Sequence, residues 1–124
     1  MAEMVFYRCE LCGNIVAVMK NGGGKLVCCG QPMIKLDPNT TDAAQEKHVP
    51  VVVQEAEKIK VSVGSVAHPM VAEHFIEWIA VVTEEKVELI YLKPGMEPKA
   101  RFLGQNKAVV YAYCNLHGLW KTEI

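Results

Sequence analysis

Four of the chain's five cysteines fall within its first 29 residues, as Cys9-x-x-Cys12 and the adjacent pair Cys28-Cys29. This crowding constrains the fold more than any other feature. The cysteine-bearing stretch ends near Leu36, where Asp37-Pro38-Asn39-Thr40-Thr41-Asp42 gathers turn formers into a linker. A module this short seldom buries enough apolar surface to fold without a metal, a disulfide or a partner subunit. A disulfide framework is the weaker choice. The cysteine count is odd, and a bond between neighbours such as Cys28 and Cys29 strains the peptide joining them. Met1-Ala2-Glu3-Met4 also puts an acid where a secretory signal carries basic charge, so the expected compartment is the reducing cytoplasm.

Metal binding is the stronger reading. Cys9-Glu10-Leu11-Cys12-Gly13 is a knuckle in which two thiolates converge, with a glycine free to take positive φ after the second ligand. Gly22-Gly23-Gly24 lets the chain fold back towards Cys28 and Cys29. Four thiolates suit zinc or iron, and ligand softness does not choose between them. A zinc ribbon normally closes with a second C-x-x-C. Here adjacent cysteines close the set, with a bite that distorts a tetrahedron. The spacing resembles that of desulforedoxin, a small iron-tetrathiolate protein.

Beyond the linker the chain reads as β-structure. Ile59, Val61 and Val63 alternate with Lys60 and Ser62, the period of a half-buried strand. Trp78, Ala80 and Val82 alternate with Glu77, Ile79 and Val81, giving a strand with a less polar second face. Thr83-Glu84-Glu85-Lys86 predicts a hairpin turn into the strand Val87 to Leu92. Lys93-Pro94-Gly95 and Leu103-Gly104-Gln105-Asn106 then punctuate two more strands, of which Ala108 to Tyr113 is the last. Only Asp42 to Glu46 looks briefly helical. Short strands with turns between them favour an antiparallel sandwich over βαβ units. A formal net charge of -1 gives no global field towards nucleic acid or anionic lipid. The longest apolar runs, Ile15 to Met19 and Trp78 to Val82, are far too short to span a bilayer.

All four histidines, His48, His68, His74 and His117, lie in this second segment with the remaining cysteine, Cys114. A lone histidine in a β-domain is usually just a hydrogen-bonded residue. These have more specific settings. Cys114-Asn115-Leu116-His117-Gly118 places a thiol and an imidazole on one tight turn, and His68-Pro69 and His48-x-Pro50 hold histidines beside fixed φ angles. Four imidazoles and a thiolate exceed the four ligands of structural zinc, whereas iron accepts five or six and leaves a face open.

Glu46-Lys47-His48-Val49-Pro50, Gly64-Ser65-Val66-Ala67-His68-Pro69-Met70, His74-Phe75-Ile76-Glu77-Trp78 and Cys114-Asn115-Leu116-His117-Gly118 resemble the signature segments of desulfoferrodoxin, the two-iron class of superoxide reductase. The resemblance implies a desulforedoxin-like tetracysteine iron module over residues 1–36, a linker over 37–45 and an immunoglobulin-like β-sandwich over 46–124. It implies two iron ions per chain. One would be held by Cys9, Cys12, Cys28 and Cys29. The other, the active site, would have His48, His68, His74 and His117 as equatorial ligands and Cys114 as the axial one. Glu46 would be the sixth ligand of the oxidised iron, and Lys47 would place a positive charge over the open face. The implied reaction is one-electron reduction of superoxide to hydrogen peroxide, fed by a rubredoxin-like donor, in a homodimer without nucleic-acid or membrane partners. Superoxide dismutation and a non-enzymatic electron carrier are the alternatives. Phe75 and Trp78 are expected to wall the site, and Met70 to pack rather than to bind metal.

Overall fold

The computed structural model describes residues 3–104 and 107–124. Gln105 and Asn106 of the expected turn, and Met1 and Ala2, lie outside the described residues. The chain divides into two compact units, Glu3–Asp37 and a larger one from Pro38 to Ile124.

In the smaller unit, β1 (Val5–Arg8) is flanked by β2 (Ile15–Val18) and β5 (Ile34–Lys35), while β3 (Val27–Cys28) and β4 (Gln31–Pro32) form a separate hairpin. Phe6 and Cys9 are the only buried side chains among the described residues of this unit. With so little apolar burial, strand pairing alone leaves the unit short of a core. The β3–β4 hairpin shows how two neighbouring cysteines are accommodated. Cys28 pairs with Gln31, so Cys29 and Gly30 are the two loop residues, with φ of 54° and 77°. Two positive φ values in a two-residue loop mark a type I′ turn, whose first central position usually holds Asn or Asp. Cys29 occupies that position.

The larger unit is an antiparallel sandwich of the immunoglobulin-like kind. After the one-turn helix α1 (Gln45–His48) come β6 (Pro50–Glu55), β7 (Lys58–Val63), β8 (Ile76–Val82), β9 (Val87–Tyr91), β10 (Lys99–Leu103), β11 (Val109–Cys114) and β12 (Gly118–Glu123). One sheet has the order β10-β7-β6 and the other β12-β11-β8-β9. The alternation in β7 holds: Ile59, Val61 and Val63 are buried, and Lys58, Lys60 and Ser62 are not. The central strand β11 is buried at every position and β8 at all but Glu77, because both lie between neighbours. Ile59, Val61, Val63, Ile79, Val110 and Phe102 lead the shared core, and Cys114 belongs to it.

Two sequence expectations shift, and the register holds one irregularity. The helix is Gln45–His48 rather than 42–46. Pro50 disfavours helical geometry at Val49, so the turn ends at His48, and no side chain caps its start at Ala44. The strand ending at Cys114 is not the last, because β12 pairs with it from Cys114↔Gly118 to Val109↔Glu123. Its mixed Lys121-Thr122-Glu123 end hides the period. Finally, the pairing of β11 with β8 slips after Tyr113, so that Tyr113 faces Trp78 but Cys114 faces Ile76. Glu77 is the extra residue of that bulge, which re-aims the chain where Cys114 leaves the sheet.

Candidate metal centres

Cys9, Cys12, Cys28 and Cys29 converge, with all four sulfurs within 4.8 Å of one another. Cys12 Sγ lies 3.6 Å from Cys28 Sγ, and Cys28 Sγ lies 3.9 Å from Cys29 Sγ. A tetrahedron of sulfurs about 2.3 Å from a metal has edges of about 3.8 Å, so these separations fit one ion. The knuckle is set by the backbone. Gly13 N–H donates to Cys9 O, Cys9 N–H to Asn14 O, and Gly13 takes φ 81°. The Cys12 backbone N–H approaches Cys9 Sγ at 3.5 Å and lowers that thiol to about 6. Cys29 is pushed up to about 12, chiefly by hydrogen bonding with the Cys12 side chain, and then by Cys28 and Cys9. Four clustered thiols resist full ionisation until a cation joins them.

In the larger unit, His48, His68, His74 and Cys114 form a second group with donor atoms within 4.8 Å of one another. His117 falls outside that limit, yet its Nδ1 is 3.1 Å from His48 Nε2 and 3.9 Å from Cys114 Sγ. The four rings form a closed square. Neighbouring centroids are 4.6 Å apart for His48–His68 and His68–His74, 5.0 Å for His74–His117 and 4.9 Å for His117–His48, all edge to face. The diagonal His48–His74 spans 6.2 Å.

Nitrogen chemistry explains the square. His48 Nδ1 donates to Ala44 O at 2.7 Å and His68 Nδ1 to Pro69 O at 2.6 Å. Each ring then keeps a bare lone pair on Nε2, and these two atoms face each other at 3.2 Å. Two acceptors at that distance need a cation between them. His74 Nε2 is buried without a hydrogen-bond partner among the described residues, a polar atom left for a ligand. Edges of 3.1–3.2 Å place a centre about 2.2 Å from each nitrogen of a square, an ordinary metal–imidazole length. Burial lowers His48, His68 (to about 4) and His74, with smaller contributions from neighbouring rings and Lys47, so these three rings are neutral near pH 7. Burial pushes the Cys114 thiol up, and the N–H of His117, 3.4 Å from Sγ, and that of Leu116 oppose this.

Each donor comes from an element end: His48 from α1, His68 and His74 from the β7–β8 connection, and Cys114 and His117 from the β11–β12 turn. Gly118, at φ 79°, closes that three-residue turn. Glu46 and Lys47 are exposed on α1, outside both donor groups. The Glu46 carbonyl accepts from Val66 N–H at 2.9 Å. Two neighbours escaped the sequence reading. Trp120 is fully buried, stacks on His48 at 4.8 Å and donates its indole N–H to His117 O at 3.1 Å. Trp78, expected to wall the site, stacks on Tyr113. Asn115 joins the turn to the chain on either side of His74. Met70 packs against the core, as expected.

Residues 40–123 match the family Desulfoferrodoxin, and residues 2–36 match Desulfoferrodoxin, N-terminal domain. The chain belongs to the desulfoferrodoxin family. It is 54% identical over 125 residues to a desulfoferrodoxin of Syntrophotalea carbinolica, covering 99% of each chain. It is 53% identical over 120 residues to a desulfoferrodoxin homolog of Archaeoglobus fulgidus, covering 96% of each. Among solved structures, the superoxide reductase from Treponema pallidum superposes with a TM-score of 0.77 at 33% identity, over 98% of this chain and 99% of that one. The expectation of two iron ions agrees with the two donor groups and with both matches to desulfoferrodoxin. No helix among the described residues is long and apolar enough to cross a membrane.

Proposed function

We propose that this chain is a superoxide reductase, converting superoxide to hydrogen peroxide with electrons from a rubredoxin-like donor. The observation that carries the reading is the square of four imidazoles with the buried Cys114 thiol beside it. Iron held by His48, His68, His74, His117 and Cys114 would supply the electron. The chain's own residues do the rest. The carbonyls of Ala44 and Pro69 fix two rings with Nε2 inward, and Trp120 holds the His48 ring and the His117 main chain. The backbone N–H groups of His117 and Leu116 stabilise negative charge on Cys114. Lys47, whose charge already reaches the His48 and His74 rings, draws the anionic substrate in. Glu46, next to it on α1, would be the carboxylate available to the oxidised centre. Cys9, Cys12, Cys28 and Cys29 would hold the second iron.

The domain reading is 1–36 for the tetracysteine module, 37–45 for the linker and 46–124 for the catalytic sandwich. Five unpaired cysteines suit the cytoplasm. Exposed Leu11, Met19, Val27 and Ile34 offer apolar area that a second copy would cover in a homodimer. The deciding experiment counts products when a reduced donor, the iron-loaded protein and superoxide are mixed. A reductase consumes one donor electron per superoxide and releases no dioxygen. Dioxygen release without donor consumption would replace this reading with dismutation.

A further inference from the structure

We infer that Asn115 is the positioning residue for His74, doing through the main chain what carbonyl contacts do for the His48 and His68 rings. His48 and His68 are each oriented by a hydrogen bond from Nδ1. The His74 ring makes no hydrogen bond among the described residues, and its Nε2 is buried without a partner. Its backbone is held instead. On one side an isolated bridge pairs His74 with Val71, each N–H donating to the other's carbonyl at 3.1 Å. On the other side stands Asn115, between Cys114 and Leu116 on the turn that carries Cys114 and His117. Its Oδ1 accepts from Phe75 N–H at 3.0 Å, its Nδ2 donates to Glu73 O at 3.0 Å, and its own N–H donates to Phe75 O at 3.2 Å.

The three contacts therefore bracket His74 at the residues immediately before and after it. They use both ends of the amide, which only Asn supplies at this side-chain length. They also connect two segments that the sheet registers leave unconnected, because β11 pairs with β8 only from Ile76 onward. His74 reaches the square because Asn115 ties its segment to the turn bearing two of the other donors. Small displacements of a ligand matter, since ligand-orienting contacts typically govern about 10- to 100-fold in metal affinity.

The inference rests on the metal-site reading of the four histidines but not on the reaction, so its test omits superoxide. Ferrous iron alone is titrated into metal-free wild type, Asn115→Asp and Asn115→Ala, and the oxidised, loaded proteins are compared by EPR. Asn115→Asp keeps the acceptor for Phe75 N–H but sets an oxygen against Glu73 O; Asn115→Ala removes both side-chain contacts. The expected result is weaker ferrous affinity at the histidine site, by about 10- to 100-fold. The ferric EPR signal should shift while the metal-free variants melt as the metal-free wild type does. The stabilisation that iron adds to the melting temperature should shrink in parallel, which a merely structural residue would not cause. Unchanged affinity and an unchanged ferric signal in whichever variant folds would overturn the assignment.

Discussion

At Lys47 a single charge carries a prediction free of any ligand change. Lys47→Ile should lower the superoxide association rate by roughly 3- to 10-fold and flatten its dependence on ionic strength, since steering is a screened, long-range effect. Pulse-generated superoxide mixed with reduced protein over a salt series measures both. Equal rates and slopes would remove the steering role. Glu46→Ala should spare the encounter rate and alter the visible spectrum of the oxidised protein, and an unchanged spectrum would remove the carboxylate from the site. His68 gives a pH prediction for the metal-free chain. Burial holds it at about 4 in the folded state against 6.5 for an ordinary histidine. Between those values the unfolded chain binds more protons, so stability falls as pH drops from about 6.5 towards 4, by on the order of 2 kcal/mol for this ring. Thermal melts of the metal-free protein across that range check it; a flat or rising trend would refute it. Metal-binding residue types could be read from the sequence because Cys and His are scarce and sit beside Pro and Gly. Trp120 and Asn115 could not. Tryptophan in a β-domain reads as core, and an asparagine in a turn reads as turn chemistry, until the partner at long range is known.

Two hairpins show what an element contributes. In the β3–β4 hairpin, the turn residue is also a donor: Cys29 at φ 54° points its thiol at the set that Cys12 and Cys28 share. Because Asn is at home in that position, Cys29→Asn should preserve the hairpin while removing one sulfur. The variant is expected to lose the visible absorption of a ferric tetrathiolate; retaining the full wild-type spectrum would exclude Cys29 as a ligand. The sequence showed adjacency of two cysteines and an odd bite, but not that a type I′ turn produces it, because φ is not written in composition. The β11–β12 hairpin carries Cys114 at its last paired position and His117 just before Gly118. Adding a side chain at Gly118 would meet positive φ and bring Cβ within 3.2 Å of Thr41 Oγ1, so the turn tolerates little there. Strands with strict alternation, such as β7, were plain in the sequence. Strand β12 was not, since a six-residue strand of mixed polarity beside a fully buried neighbour has no period to follow.

Across the whole molecule, the two donor groups share no residue, and each lies within one of the two compact units. Cys12→Ser should therefore destabilise Glu3–Asp37, where Phe6 and Cys9 alone are buried, and leave the histidine site intact. Single-turnover superoxide reduction by chemically reduced Cys12→Ser protein is expected near the wild-type rate; its loss with the histidine site still metallated would refute the separation. The division near residue 37 was legible because composition changes there, whereas the sandwich pairing order depends on long-range contacts. Those same contacts bear on how the protein matures as it is synthesised. The cysteine donors span 9 to 29, so the first ion can be captured while most of the chain is still on the ribosome. The histidine square joins residues 48 and 117, 69 positions apart, and needs β11 and its turn before it exists. Chain order thus separates the two donor sets: one that a nascent chain already carries, and one that only a finished fold can assemble.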